Sequence, residues 1–208
     1  MTRVRDLVVA LLGLIILSPL LLAVSLIIQL DSPGGAIYRQ ERVGLRGKSF
    51  RIHKFRTMRQ GAGGLPVTAG DDPRVTRCGR WLRATKLDEL PQLIDIIQGN
   101  MSLVGPRPEV PYYASLWPED AQPIILSVRP GLTDPATVQL RHESSLLARA
   151  DDPELTYIED LLPMKARAYV AYVSNRSFVG DFRVILATAA ALVKPNSPTI
   201  PRESERSC

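Results

Sequence analysis

The longest apolar stretch in the chain runs from Leu7 to Leu30, 24 residues without a charge, bounded by Asp6 and Asp31. As a helix rising about 1.5 Å per residue it reaches roughly 36 Å, enough for a hydrocarbon core of about 30 Å. It is too long for a cleaved signal peptide, and no small-x-small cleavage site follows it. The pattern therefore predicts membrane association. Arg3 and Arg5 precede the run, while Arg39, Arg42, Arg46, Lys48, Arg51, Lys54, Arg56 and Arg59 follow it against Glu41. Both flanks are positive, so a simple crossing leaves one of them outside. Ser18-Pro19 interrupts the run. Proline lacks an N–H and clashes with the preceding turn, and a neighbouring Ser hydroxyl can satisfy the carbonyl so freed. A helix that breaks there and returns to its entry face reconciles the flanks; a kinked spanning helix is the alternative.

Beyond the run, Ala36 to Met58 reads as two short strands around Gly44-Leu45-Arg46-Gly47, with Tyr38, Val43, Phe50, Ile52 and Phe55 on an apolar face. Gly61 to Pro73 is Gly-rich and aperiodic, a loop. Leu87, Leu90, Ile94 and Ile97 recur at helical spacing, and Gly99 supplies a C-terminal stop. Pro91 requires that helix to begin shortly before it. Pro153 to Val173 and Phe178 to Lys194 read as further helices. The second is too short to cross a bilayer and suits an interfacial or domain-packing position. Pro195 to Cys208 is a polar, Pro-rich tail. These elements predict a mainly α fold with a small β-hairpin (α+β). Its parts are a membrane helix over 1–31, one domain over 32–194 and a mobile tail over 195–208.

Composition narrows the chemistry. The chain has 208 residues, so one domain is expected. A net charge of +5 suits an anionic partner. Two cysteines, Cys78 and Cys208, allow neither a disulfide framework nor a cysteine metal site. With His53 and His142 as its two histidines, the chain offers little to a His-based zinc site or a Ser-His-Asp triad. No nucleic-acid motif accompanies the basic residues.

The richest chemistry lies between Arg80 and Glu109. Pro91 places Asp88 and Glu89 in a first helical turn, where free N–H groups favour ionised carboxylates and bind phosphates. Arg80, Arg83, Lys86 and Arg107 are near enough in sequence to surround that position. The bland alternative is that Thr85-x-x-Asp88 is a capping box and that Pro106-Arg107-Pro108 is a rigid connector.

The chain resembles the monotopic phosphoglycosyl transferases, a bacterial sugar transferase family. The match rests on Lys54-Phe-Arg-Thr-Met58, Asp72-Pro-Arg-Val-Thr76, Leu87-Asp-Glu-Leu-Pro-Gln92 and Met101-Ser-Leu-Val-Gly-Pro-Arg-Pro-Glu109. Arg129-Pro-Gly-Leu-Thr133 and Tyr172-Val-Ser-Asn-Arg-Ser-Phe178 with Asp181 extend it, and Ser18-Pro19 falls at the family's helix break. The resemblance implies transfer of a sugar-1-phosphate from a UDP-sugar to a polyprenol (undecaprenyl) phosphate, releasing UMP. This is a first membrane step of polysaccharide or glycoprotein glycan assembly. It implies Asp88 as a nucleophile forming an aspartyl-phosphosugar, and Glu89 together with Asp88 at a Mg²⁺ ion. Arg83 and Arg107 take substrate-phosphate positions, with Pro106 and Pro108 flanking Arg107. Lys54, Arg56 and Arg129 match basic motif positions. The resemblance further implies a re-entrant, Ser-Pro-broken anchor in the bacterial inner membrane, with both termini and the catalytic domain on the cytoplasmic face. Lipid is then a partner, and a homodimer a further candidate assembly.

No long extension precedes the anchor, so a minimal catalytic form is expected. The resemblance weakens at Asp134-Pro-Ala-Thr137 and Arg141 to Arg149, which point to a subgroup. Two rival readings are an anion-binding module without catalysis, and a glycosyltransferase that moves the sugar alone and releases UDP.

Overall fold

The apolar run forms one helix, α1 (Thr2–Asp31). The computed structural model describes residues 2–61, 72–136 and 143–193, so most of the Gly-rich loop, part of the divergent segment and the tail lie outside the described residues. The helical backbone continues through Pro19, which corrects the expected break. Pro19 cannot donate to the carbonyl four residues back, that of Ile15; the Ser18 hydroxyl donates to that carbonyl instead, at 2.8 Å. Asp6, Ala10, Val24 and Ile28 are buried, with Leu14, Leu17 and Leu21 half-buried between them. This stripe, at spacings of three and four, packs on the body along the whole helix. Ahead of Pro19 it joins Ile52, Leu93, Ile96, Met101 and Val104. Beyond Pro19 it joins Ala36, Phe55 and Leu82. The other faces of α1, including Val8, Ile15, Ile16, Leu22, Leu26 and Leu30, are exposed.

The hairpin forms as read. Strands β1 (Ile37–Val43) and β2 (Ser49–Phe55) pair antiparallel, from Ile37 opposite Phe55 to Val43 opposite Ser49. The expectation of one apolar face is corrected. Side chains alternate along a strand, so Ile52 and Phe55 point to opposite sides, and both are buried. Ile52 packs with the cluster around Ile96, and Phe55 with that around Leu82; Tyr38 is half exposed.

Helix α2 (Arg77–Thr85) is capped by Thr76, whose side chain accepts from Gly79 N–H. A Cβ at Gly79 would come within 2.1 Å of the Thr57 carbonyl oxygen, so glycine lets α2 approach the end of β2. A 3₁₀ segment, Leu87–Gln92, then leads into α3 (Leu93–Gln98), which stops at Gly99 in a left-handed conformation. The expected core stripe shifts as a result. Leu93 and Ile96 are buried, while Leu87, Leu90, Ile94 and Ile97 are half-buried, because a 3₁₀ turn advances about three residues rather than 3.6.

Strands β3 (Ser102–Val104) and β4 (Gly131–Thr133) form a parallel pair that the sequence pattern did not predict. Their ends meet so closely that a Cβ on Gly131 would lie 2.1 Å from Gly105 N. Helices α4 (Pro111–Ser115) and α5 (Ala121–Ile125) fill the connection between them. The rest comprises α6 (Glu143–Leu147), α7 (Pro153–Thr156), a π-turn over Tyr157–Leu161, α8 (Leu162–Ser174) and α9 (Phe178–Val193). Trp117, Ile125, Leu147, Leu162 and Tyr169 belong to their shared core. The outcome is the mainly helical fold expected, with two small sheets among the described residues. Helix α9 buries Asp181 and exposes Phe178, Val179, Phe182 and Leu186.

Candidate active site

Lys86 holds a left-handed conformation (φ 57°) and ends α2, its N–H bonding to the Leu82 and Arg83 carbonyls. That reversal drives the next turn into the body, and Asp88 and Glu89 are each only 8% exposed. No capping box forms, which corrects the bland alternative: the Thr85 hydroxyl donates back to the Trp81 carbonyl, at 2.9 Å.

The two carboxylates meet different surroundings. Arg107 grips Glu89 with both terminal nitrogens, Nη1 reaching Oε2 at 3.1 Å and Nη2 reaching Oε1. Lys54 Nζ also donates to Oε1, at 3.1 Å. Burial works to raise the Glu89 pKa, but Arg107 and Lys54 outweigh it and hold the carboxyl well below the usual range. In return, Glu89 pushes Arg107 well above its ordinary value, while burial lowers Lys54.

Asp88 has no such pairing. Its Oδ1 is buried without a hydrogen-bond partner. Burial first, and the adjacent Glu89 charge second, push its pKa upward against the pull of Lys54, Lys86 and Arg107. The helix-terminus argument, which favoured easy ionisation, is thus overruled by desolvation. Arg83 donates from Nε to Thr57 Oγ1 at 2.9 Å. Burial lowers the Arg83 pKa, opposed chiefly by the Asp88 charge. Lys54, Arg83 and Arg107 therefore converge on the acidic pair.

Pro106 and Pro108 hold Arg107 between two anchored carbonyls. Gly131 N–H donates to the Pro106 carbonyl at 2.9 Å, and Arg42 Nη1 to the Pro108 carbonyl at 3.1 Å. Arg56 and Arg129 are engaged in other ways. Arg56 binds the carbonyls of Ser32 and Pro33 beyond α1, at 2.6 and 2.5 Å. Arg129 donates from Nε to the Gly99 carbonyl beyond α3, at 2.8 Å. Both complement the negative end of a helix.

Sequence reading passed over Arg42, Thr57, Glu109 and the buried His53–Asp95 pair. His53 meets both Asp95 oxygens, through N–H at 2.9 Å and through Nδ1 at 2.8 Å, clamping β2 to α3 immediately beside Lys54. Thr57, inside the Lys54–Met58 motif, and Glu109, closing the Met101–Glu109 motif, were the legible signals among these.

The open Asp88 oxygen beside Glu89 fits a hard cation, which takes oxygen ligands and completes its shell with water and substrate phosphates. Among the described residues, no cluster of three or more His, Cys, Asp or Glu side chains forms a full cage.

The bacterial sugar transferase family model matches residues 1–195. A UDP-glucose:undecaprenyl-phosphate glucose-1-phosphate transferase of Caulobacter vibrioides is 40% identical over 199 residues, covering 92% of this chain and 69% of that protein. The exopolysaccharide production protein PSS of Rhizobium leguminosarum bv. phaseoli is 38% identical over 203 residues, with 91% and 93% covered. The Escherichia coli K12 UDP-glucose:undecaprenyl-phosphate glucose-1-phosphate transferase is 38% identical over 166 residues, 76% of this chain but 36% of its own. The ordered motifs, the acidic pair they bring among three cations and these matches agree: the chain is an enzyme of the bacterial sugar transferase family.

Proposed function

We propose that this phosphoglycosyl transferase moves a sugar-1-phosphate from a UDP-sugar to undecaprenyl phosphate, with Asp88 as the nucleophile. The observation that carries the reading is the contrast within the acidic pair: Glu89 is saturated by two cations, while Asp88 keeps a buried oxygen without a partner. In the first step an Asp88 carboxylate oxygen attacks the phosphorus that bears the sugar. The bond from that phosphorus to the bridging oxygen breaks, and UMP departs with the electron pair. In the second, a phosphate oxygen of the lipid attacks the aspartyl-phosphosugar and returns Asp88 as a carboxylate. Covalent catalysis of this kind splits one displacement into two.

Arg107 and Lys54 stand where they stabilise charge on the transferring phosphate, and Arg83 lies in the field of Asp88. Glu89 keeps Arg107 and Lys54 oriented when substrate is absent. Mg²⁺ held by Asp88 and Glu89 would neutralise charge on the diphosphate and the leaving UMP.

The membrane reading is supported by α1. Arg3 at its start donates to the Ile96 and Ile97 carbonyls, and the Ile28 carbonyl near its end accepts from Arg56. Ties from both ends of the helix to one body support the reading that both flanks lie on one side of the membrane. The exposed apolar faces of α1 adjoin the start of α9, where Arg5 meets Asp181 at 2.8 Å. Positive flanks favour the cytoplasmic side of the bacterial inner membrane.

The test is nucleotide release from purified protein given undecaprenyl phosphate, Mg²⁺ and a panel of UDP-sugars. UMP from wild type and none from Asp88→Asn is the expected result. UDP in place of UMP would reassign the reaction to simple glycosyl transfer, and turnover by Asp88→Asn would remove the covalent step.

A further inference from the structure

Behind Arg107 runs a continuous chain of buried charge. Arg42 Nη1, besides holding the Pro108 carbonyl, lies 3.5 Å from Glu109 Oε2. Arg42 Nη2 donates to Gln40 Oε1 at 2.7 Å. Val43 N–H bonds the Glu109 carbonyl at 2.8 Å, so the end of β1 is zipped to the segment carrying Arg107. The other Glu109 oxygen accepts from Tyr157 OH at 2.5 Å and lies 3.9 Å from Lys165 Nζ. Lys165 in turn donates to Tyr157 OH at 3.2 Å and to Glu143 Oε1 at 2.8 Å, and sits over the Tyr157 ring. Glu109, Tyr157 and Lys165 are each 5% exposed or less. Glu143 opens α6, within the stretch where the sequence departs from the family pattern.

We propose that Arg42 is a positioning residue for Arg107, and that the chain through Glu109, Tyr157 and Lys165 makes Glu143 a remote determinant of how tightly the nucleotide diphosphate is held. The inference rests on the functional reading above, in which Arg107 meets substrate phosphate. The coupling is electrostatic. A buried ammonium needs a counter-charge, and Glu143 supplies the nearer one. With Glu143 neutralised, Lys165 turns to Glu109, which then has less to offer Arg42. The grip of Arg42 on Pro108 and Glu109 slackens, and Arg107 loses one of its two flanking anchors.

The test measures affinity for UDP, in the presence of Mg²⁺, of the full chain in detergent. Arg42→Gln is expected to weaken UDP about tenfold and Glu143→Gln about threefold, in protein that still melts cooperatively, at a lowered temperature because each change leaves a buried charge underpaired. The double variant should bind no more weakly than Arg42→Gln alone, since both act along one chain. Arg42→Lys, which keeps the charge but not the fork, should restore part of the loss. Wild-type affinity in Arg42→Gln or Glu143→Gln, or losses that add in the double variant, would overturn the proposal. If Arg42→Gln fails to fold, Glu143→Gln decides alone. Failure of the wild type to bind UDP would bring down the functional reading and this inference together. Wild-type binding untouched by the variants would remove this inference only.

Discussion

This molecule holds two buried clusters of charge, and they differ in one respect. Near the start of α1, Asp181 is fully buried and both its oxygens are engaged: Oδ2 by Arg5 at 2.8 Å, Oδ1 by Tyr172 OH at 2.6 Å with Arg176 at 3.8 Å. At the acidic pair, Glu89 is satisfied in the same way, yet Asp88 Oδ1 is left without a partner. A buried polar group without a partner costs about 1–3 kcal/mol, so a folded protein retains one at a cost to stability. In the cluster that ties α1 to the body both carboxylate oxygens are engaged and the orphaned atom is Arg176 Nε, whereas at the acidic pair the orphan is a carboxylate oxygen, the kind of atom suited to nucleophilic chemistry.

The largest effect that tests this contrast is Asp88→Asn. Turnover should fall at least about 10³-fold, as for loss of a nucleophile. The same change should stabilise the protein at pH 7 by about 1 kcal/mol, because it removes a buried charge. With its folded-state pKa above the unfolded one, Asp88 carries no ionisation penalty below about pH 3.9. The penalty appears as pH rises, so thermal unfolding should show the gain at pH 7 and none at pH 3. Asp181→Ala should do the reverse, costing about 3 kcal/mol in unfolding experiments while the folded fraction keeps its turnover. Equal loss of turnover in the two variants would dissolve the distinction.

Glu89→Gln should fall between them, losing about 100-fold in activity together with about 2 kcal/mol, since Arg107 and Lys54 are left underpaired. The smallest effect is on pH dependence. Because burial and Glu89 raise Asp88 in the free protein, the acid limb of kcat/KM should lie above the ordinary carboxylate value of about 3.9. Glu89, held low, contributes stability above its unfolded pKa and loses it only as pH falls through the lower folded one. A pH–rate profile whose acid limb sits at or below 3.9 would reassign the titrating group.

Features with local causes were legible in the sequence. The apolar length of α1, the hairpin around Gly44–Gly47 and the Gly99 stop all follow from neighbours in the chain. Even the Ser18 hydroxyl bond was readable, although the break it was thought to accompany is absent. The β3–β4 pair was not legible, because three-residue strands have no periodicity and their partners lie 29 positions apart, Ser102 against Gly131. The acidic pair was legible by motif but not its asymmetry, which depends on Arg107 and Lys54 arriving from elsewhere. Arg56 and Arg129 show a further limit: a basic residue in a motif reads alike whether it meets a phosphate or a helix terminus.

The stripe on α1 has a practical corollary. Ala10, Val24 and Ile28 belong to the same packed interior as Ile96, Phe55 and Leu82, so the anchor is no detachable tether. Cutting it away to obtain a soluble enzyme strips the cover from two hydrophobic clusters and invites aggregation. Grafting on an unrelated leader of equal length would restore attachment without restoring the seat into which these side chains fit. Extraction from the bilayer therefore succeeds or fails as refolding does, and a detergent that loosens α1 should inactivate the enzyme before it releases the protein.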